Sequence, residues 1–216
     1  MRGILIVIDG IDGSGKATQT KLLTRGLRRA GFRVATLDYP QYHRFFGTLI
    51  KDYQYGLLGP PVHPKIASVL YEIDRWETKD RILGWLRAGK IVVLDRYLTA
   101  NQIHQGGRVP IRDRKTFLVW LAKLEHEILG LPKPDVIIYL QVPAKIAAGL
   151  SRDRGGRDKM ERDLAHQEAS TRSAIALAKS GRWKVISCVQ NGQLLAKEII
   201  AKKILAYVRT KITSHH

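Results

Sequence analysis

The chain predicts an α/β fold of three layers, a five-stranded parallel sheet flanked by helices, and three observations carry that expectation. Five short, mostly apolar runs recur along the 216 residues with helical patterns between them, the alternation that a parallel sheet covered on both faces requires. The first run feeds directly into a glycine-rich turn that ends in Lys16. Gly31, Gly89, Gly130 and Gly181 each stand where a helix should stop.

The strands are expected at residues 4–9, 33–38, 91–95, 136–142 and 184–189. The helices are expected at about 15–30, 45–53, 64–88, 112–129, 144–152, 159–179 and 192–211. Stretches 59–64 and 131–134 contain proline and read as loops. With no repeat and no low-complexity segment, residues 1–216 read as one domain. No apolar run approaches the roughly 20 residues of a membrane span, and the first strand begins at once, so an intracellular, cytoplasmic location is expected. The single Cys188 sits in an apolar run and reads as a buried structural thiol.

Residues 4–18, ILIVIDGIDGSGKAT, join a strand to a turn in which Gly10, Gly15 and Lys16 satisfy the spacing G-x-x-x-x-G-K. Glycine opens dihedrals closed to other residues and turns successive N–H groups toward an anion, and Lys16 adds a mobile positive charge. The following helix points its positive end at the same place. Gly10, Ile11, Asp12, Gly13, Ser14, Gly15, Lys16, Ala17 and Thr18 are therefore expected to hold a nucleoside triphosphate. Ala17 stands where a hydroxyl normally meets Mg²⁺, and the hydroxyl of Thr18 projects differently.

In such sheets ligands gather beyond the carboxyl ends of the strands, which places residues 9–16, 38–44 and 95–105 around one cleft. Asp95 and Arg96 follow directly on the third strand. A carboxylate there suits Mg²⁺ held through water, and a guanidinium suits phosphates from two substrates. The formal charge of +18, from 37 basic and 19 acidic residues, leaves two readings open: solvated surface plus active-site cations, or nonspecific affinity for polyanions. Specific nucleic-acid binding is not expected from charge alone.

The loop through Gln19, Tyr39-Pro40, LYEIDR ending in Arg75, DRY at 95–97, GLPKPDVIIYLQV at 130–142 and SRDRGGRDKME at 151–161 together resemble the thymidylate kinases over nearly the whole chain. The resemblance implies a P-loop kinase fold with a short arginine-rich lid at about 151–161. It also implies transfer of phosphate from ATP to dTMP with Mg²⁺, in dTTP biosynthesis, by a homodimer. Position by position it makes Asp12 the carboxylate near the sugar and the phosphoryl acceptor, and Arg96 the phosphate bridge. Tyr71 becomes the ring that stacks on thymine and Arg75 the donor to its carbonyl edge. Tyr39, Tyr42, Asn101, His104 and Gln105 complete the expected dTMP site. A guanidinium prefers an O4 acceptor to an amino group; on spacing alone, Tyr71 and Arg75 would be packed neighbours four apart on a helix.

His104 replaces a tyrosine found in many members of that family, so the choice between deoxyribose and ribose stays open, as does another nucleoside monophosphate or a deoxynucleoside as acceptor. The phosphate loop lacks an arginine. Arg152, Arg154 and Arg157 around Gly155-Gly156 are therefore expected to supply catalytic cations from the lid. A nucleotide-regulated nucleic-acid-binding protein is the alternative from another class, resting on the charge.

Overall fold

The computed structural model describes residues 2–59, 62–152, 164–179 and 183–214. Strands β1 (Ile4–Asp9), β2 (Val34–Asp38), β3 (Ile91–Asp95), β4 (Val136–Gln141) and β5 (Trp183–Ser187) form one parallel sheet in the order β2-β3-β1-β4-β5. Helices α1 (Lys16–Arg29), α2 (Phe45–Tyr55), α3 (Pro64–Trp76), α4 (Lys79–Arg87), α5 (Leu98–Arg108), α6 (Ile111–Ala122), α7 (Ala144–Arg152), α8 (Leu164–Ala178) and α9 (Lys197–Thr213) surround it. The period-2 alternation of β1 divides the core. Ile4, Ile6 and Ile8 pack with Leu23 and Leu27 of α1 and Ile200, Ile204 and Val208 of α9. Leu5 and Val7 face the other side with Ile82 and Leu86 of α4 and Leu98 of α5. Each such buried side chain contributes up to about 1.5–3 kcal/mol. Cys188 is buried in the first of these clusters.

The sheet order fixes the site. The chain leaves β1 for β2 and β3 on one side and later fills the other side with β4 and β5, so the crevice opens at the carboxyl end of central β1. Among the described residues no helix is long and apolar enough to cross a membrane.

Three expected helices differ from those observed. The one drawn over 64–88 is two, α3 and α4, broken at Glu77-Thr78. Thr78 turns its hydroxyl onto Arg75 O at 3.1 Å and also meets the Tyr39 hydroxyl. The one drawn over 112–129 ends as α6 and passes into a π-helical turn, Lys123–Ile128. The one drawn from 192 begins instead at Lys197. Val189–Gln190 (β6) and Gln193–Leu194 (β7) form a hairpin whose turn residues, Asn191 (φ 51°) and Gly192 (φ 76°), are both left-handed. The strand expected to run to 189 accordingly stops at Ser187.

Helix α5 is missing from the expected set altogether. Its sequence, LTANQIHQGGR, has no clean apolar stripe, and its helicity rests on packing against α8. A Cβ on Gly107 would come within 3.2 Å of the backbone of Ala169, which explains glycine at that position.

Candidate active site

The phosphate loop is shaped by glycine where other residues do not fit. Gly15, the N-cap of α1, has φ 86°. Gly13 has φ 84°, and a Cβ there would lie 2.0 Å from Ala147 O. Lys16 Nζ donates to Gly10 O at 3.0 Å and Ile11 O at 2.9 Å and lies 3.7 Å from Asp12 Oδ1. Burial first, and then the Arg96 guanidinium, lowers the Lys16 pKa from its ordinary value. Ser14 Oγ is buried without a hydrogen-bond partner among the described residues. Ala17 lines the cleft, whereas Thr18 lines a different concavity on the outer side of α1.

Arg96 is the centre of the arrangement. It adopts φ 66°, a left-handed conformation uncommon for a residue with a Cβ. Arg96 N donates to Ile8 O at 3.0 Å, and its guanidinium pairs with Asp12 Oδ1 through Nη2 and with His104 Nε2, at 3.1 Å, through Nη1. A guanidinium can only donate. His104 Nε2 is therefore the unprotonated ring nitrogen, and Nδ1 carries the hydrogen that reaches Ser170 Oγ at 3.2 Å. Gln167 Nε2 donates to the second Asp12 oxygen at 3.3 Å. Burial opposes ionisation of Asp12, but Arg96 and then Lys16 outweigh it and hold the carboxyl well below its usual range.

Two carboxylates stand behind this group. Asp9, fully buried, accepts from Gly10 N at 2.8 Å and Thr99 Oγ1 at 2.5 Å and so ties the loop to α5. Asp95 ends β3 directly opposite Asp38 of β2. Burial raises its pKa, against the pull of Lys16 and Arg96. Asp12, Lys16, Ala17, Asp38, Asp95 and Arg96 line one cleft of about 220 Å³. Asp38 and Asp95 are the carboxylates of this cleft that would hold a hydrated divalent cation. Among the described residues no group of three or more His, Cys, Asp or Glu side chains forms a metal cage.

The residues expected at the base form a second, more buried group. Gln54 links Tyr42 to Tyr71, accepting from the Tyr42 hydroxyl at 2.8 Å and donating to the Tyr71 hydroxyl at 3.2 Å. Tyr71 packs edge to face on Tyr53 and lies 5.9 Å from the Arg75 guanidinium; its burial raises the phenol pKa. Arg75 is 2% exposed and donates to Glu72 at 2.5 Å. Asn101 Nδ2 donates to Ser68 O and to Glu72. Tyr39 lines the cleft, but its hydroxyl meets Thr78. Gln105 is 1% exposed and its oxygen accepts from Arg108 of the same helix, whose guanidinium also donates to the Tyr53 hydroxyl and so ties α5 to α2.

Arg152 ends α7, whereas Arg154 and Arg157 and most of the expected lid lie outside the described residues. Asp9, Asp38 and Thr99 fall in the segments that the sequence places at the cleft but carry no individual role there, and nothing in the sequence marks Gln167, Ser170, Glu72 or Glu125 as site residues. Asp9 and Asp38 end strands, a position that was readable. The others lie on α3, α5, α8 and the π-helical turn and become neighbours only through tertiary packing.

The family model for thymidylate kinase matches residues 8–199. The chain is 34% identical over 207 residues to a probable thymidylate kinase of Pyrobaculum aerophilum, covering 95% of this chain and 98% of the relative. It is 33% identical over 207 residues to the thymidylate kinase of Mycobacterium tuberculosis, covering 89% and 96%. The human thymidylate kinase is 28% identical over 200 residues, covering 92% and 88%. The solved thymidylate kinase of Candida albicans superimposes with a TM-score of 0.76 over 97% of this chain and 92% of its own at 20% identity, a likeness of fold. On the family match across the nucleotide loop, the cleft and the lid segment, the chain belongs to the thymidylate kinase family.

Proposed function

We propose that this cleft aligns the γ-phosphate of ATP with the 5′-phosphate of dTMP and transfers one phosphoryl group, giving ADP and dTDP. The observation that carries the reading is Arg96, set in a left-handed conformation beside Lys16 and oriented by Asp12 and His104. Such transfer needs little covalent chemistry; it needs positioned reactants and cations where negative charge redistributes. Lys16 and the N–H groups of residues 10–18 hold the donor phosphates. Arg96 bridges donor and acceptor, and Asp12 orients it and faces the acceptor sugar. Asp38 and Asp95 would hold Mg²⁺ through water, and the ion neutralises charge on the nucleotide phosphates when bound.

Tyr71 stacks on the base, and Arg75 and Asn101 read its edge, with Tyr39, Tyr42, His104 and Gln105 shaping the pocket. Arg152, Arg154 and Arg157 close the lid over the phosphates. The protein works as a homodimer in the cytoplasm. Support for self-association comes from exposed apolar side chains on adjacent helices, Ile66 of α3 and Val119 of α6, which lie beside a contact of Lys65 with Trp120. A coupled assay of ADP release across deoxy and ribo nucleoside monophosphates tests the reading. dTMP should give the highest kcat/KM; a higher value for a different base overturns it.

A further inference from the structure

Beneath the base end of the cleft, α3 and the π-helical turn bury two carboxyl groups that phosphoryl transfer does not use. Glu72 and Glu125 are both fully buried. Glu72 Oε1 accepts from Arg75 Nη1 at 2.5 Å and from Asn101 Nδ2 at 2.6 Å. Asn101 Nδ2 also donates to Ser68 O at 3.1 Å. With an acceptor on each side, the amide atom between them is nitrogen and both of its hydrogens are committed. The oxygen, Oδ1, is what Asn101 has left to offer a ligand.

Glu125 lies within hydrogen-bonding reach of Glu72, and burial, then Glu72, pushes its carboxyl well above the usual range. Glu72 Oε2 and both Glu125 oxygens have no N–H or O–H partner among the described residues. A proton shared between the two carboxyl groups would give Glu72 Oε2 and one Glu125 oxygen a partner. The cluster then holds one negative charge on Glu72 against the positive charge of Arg75, whose pKa Glu72 foremost raises against the effect of burial. Without this pairing Arg75 would lose its hydrogen-bonded carboxylate and Asn101 would keep only Ser68 O.

We propose that Glu72, backed by Glu125, is the positioning residue that sets base specificity. It holds Arg75 and Asn101 so that a pyrimidine meets a guanidinium donor beside a carbonyl acceptor. That pattern matches a base with a 4-oxo group and an N3–H, and it opposes one with a 4-amino group and a bare N3. The inference rests on the reading above that Arg75 and Asn101 touch the base.

The test is the ratio of kcat/KM for dTMP to that for dCMP, measured on the full chain. Glu72→Ala should lower the ratio about tenfold or more, chiefly through a raised KM for dTMP. Glu125→Gln, whose amide N–H still donates to Glu72, should keep the ratio within about threefold of the parent, whereas Glu125→Leu should lower it. Should Glu72→Ala fail to fold by circular dichroism, Glu72→Asp keeps the charge but withdraws it by one methylene and should lower the ratio about fivefold. If Arg75→Ala erodes the ratio and the Glu72 variants do not, the positioning role is overturned while base reading by Arg75 stands. If Arg75→Ala and Asn101→Ala both leave the ratio unchanged, the base reading fails and the role of Glu72 fails with it.

Discussion

On the proposed reading, the phosphate end and the base end of the site solve opposite electrostatic problems. At the phosphate end Lys16 and Arg96 lean on one carboxylate, Asp12, with Asp95 and Asp9 behind it. Their cations are held close to a cleft they line, ready for a ligand that brings its own negative charge. At the base end Arg75 is sealed against Glu72 and Glu125, and its charge is balanced within the protein. A neutral base brings no charge to balance a buried cation, so the protein must supply the counter-charge itself. The difference lies in what each ligand carries: a phosphate completes its site electrostatically, whereas a base meets a finished one.

The largest expected effect lies at the phosphate end. Lys16→Ala should abolish phosphorylation of dTMP, with kcat/KM falling about a thousandfold or more. The circular dichroism spectrum should persist, because the loop is shaped by Gly13 and Gly15 and not by the lysine. Unfolding of the variant would mean that the Lys16 bonds to Gly10 O and Ile11 O hold the loop together. Arg96→Ala comes next and should cost about 3–4 kcal/mol of transition-state stabilisation, read as kcat/KM for dTMP. Near-parental turnover would remove the bridge from the mechanism.

The phosphate end was also the more legible in the sequence, for a physical reason. Its parts are local: a strand, a glycine turn and a lysine follow within residues 4–16, and the Asp95-Arg96 pair ends a strand beside them. The five strands were readable because each is a short apolar run bounded by turn signals. The base end depends on contacts between residues distant in sequence. Asn101 meets Glu72 across 29 positions, and Glu125 arrives from a π-helical turn that no residue pattern announces. Tyr71 and Arg75 enter the proposed site through the family resemblance; the carboxylates beside Arg75 do not. The Asn191-Gly192 hairpin is a different kind of miss, since that dipeptide is itself a turn signal, read instead as the start of a helix.

Two further predictions sharpen the contrast at intermediate scale. Replacing Arg152, Arg154 and Arg157 singly by Ala should reveal at least one position where kcat falls about a hundredfold with a much smaller change in nucleotide binding. Parental turnover in all three, and in the triple variant, would assign the remaining cation to a different residue. His104→Tyr should increase the preference for dTMP over its ribose counterpart; an unchanged preference would separate the ring from the sugar.

The last effect concerns stability, not catalysis, and lies at Asp74 of α3. This carboxylate accepts from Gln41 N at 3.2 and 3.3 Å and so anchors the turn that follows β2. Burial raises its pKa to about 6 from 3.8, against the opposing effects of that hydrogen bond and of Arg75. Between those two values the folded protein binds a proton that the unfolded chain has released, so stability falls as pH rises through the window. Above it the full cost of burying the charge remains. Asp74→Asn keeps an oxygen for Gln41 N and removes the charge. The variant should therefore gain about 1–3 kcal/mol relative to the parent at pH 8 and nothing near pH 4, as read from urea unfolding. A gain that is the same at both pH values would trace the effect to packing and not to the proton. A loss at pH 8 would mean that the ionised carboxylate is stabilised by Arg75, which would extend the internal charge balance of the base end to the turn after β2.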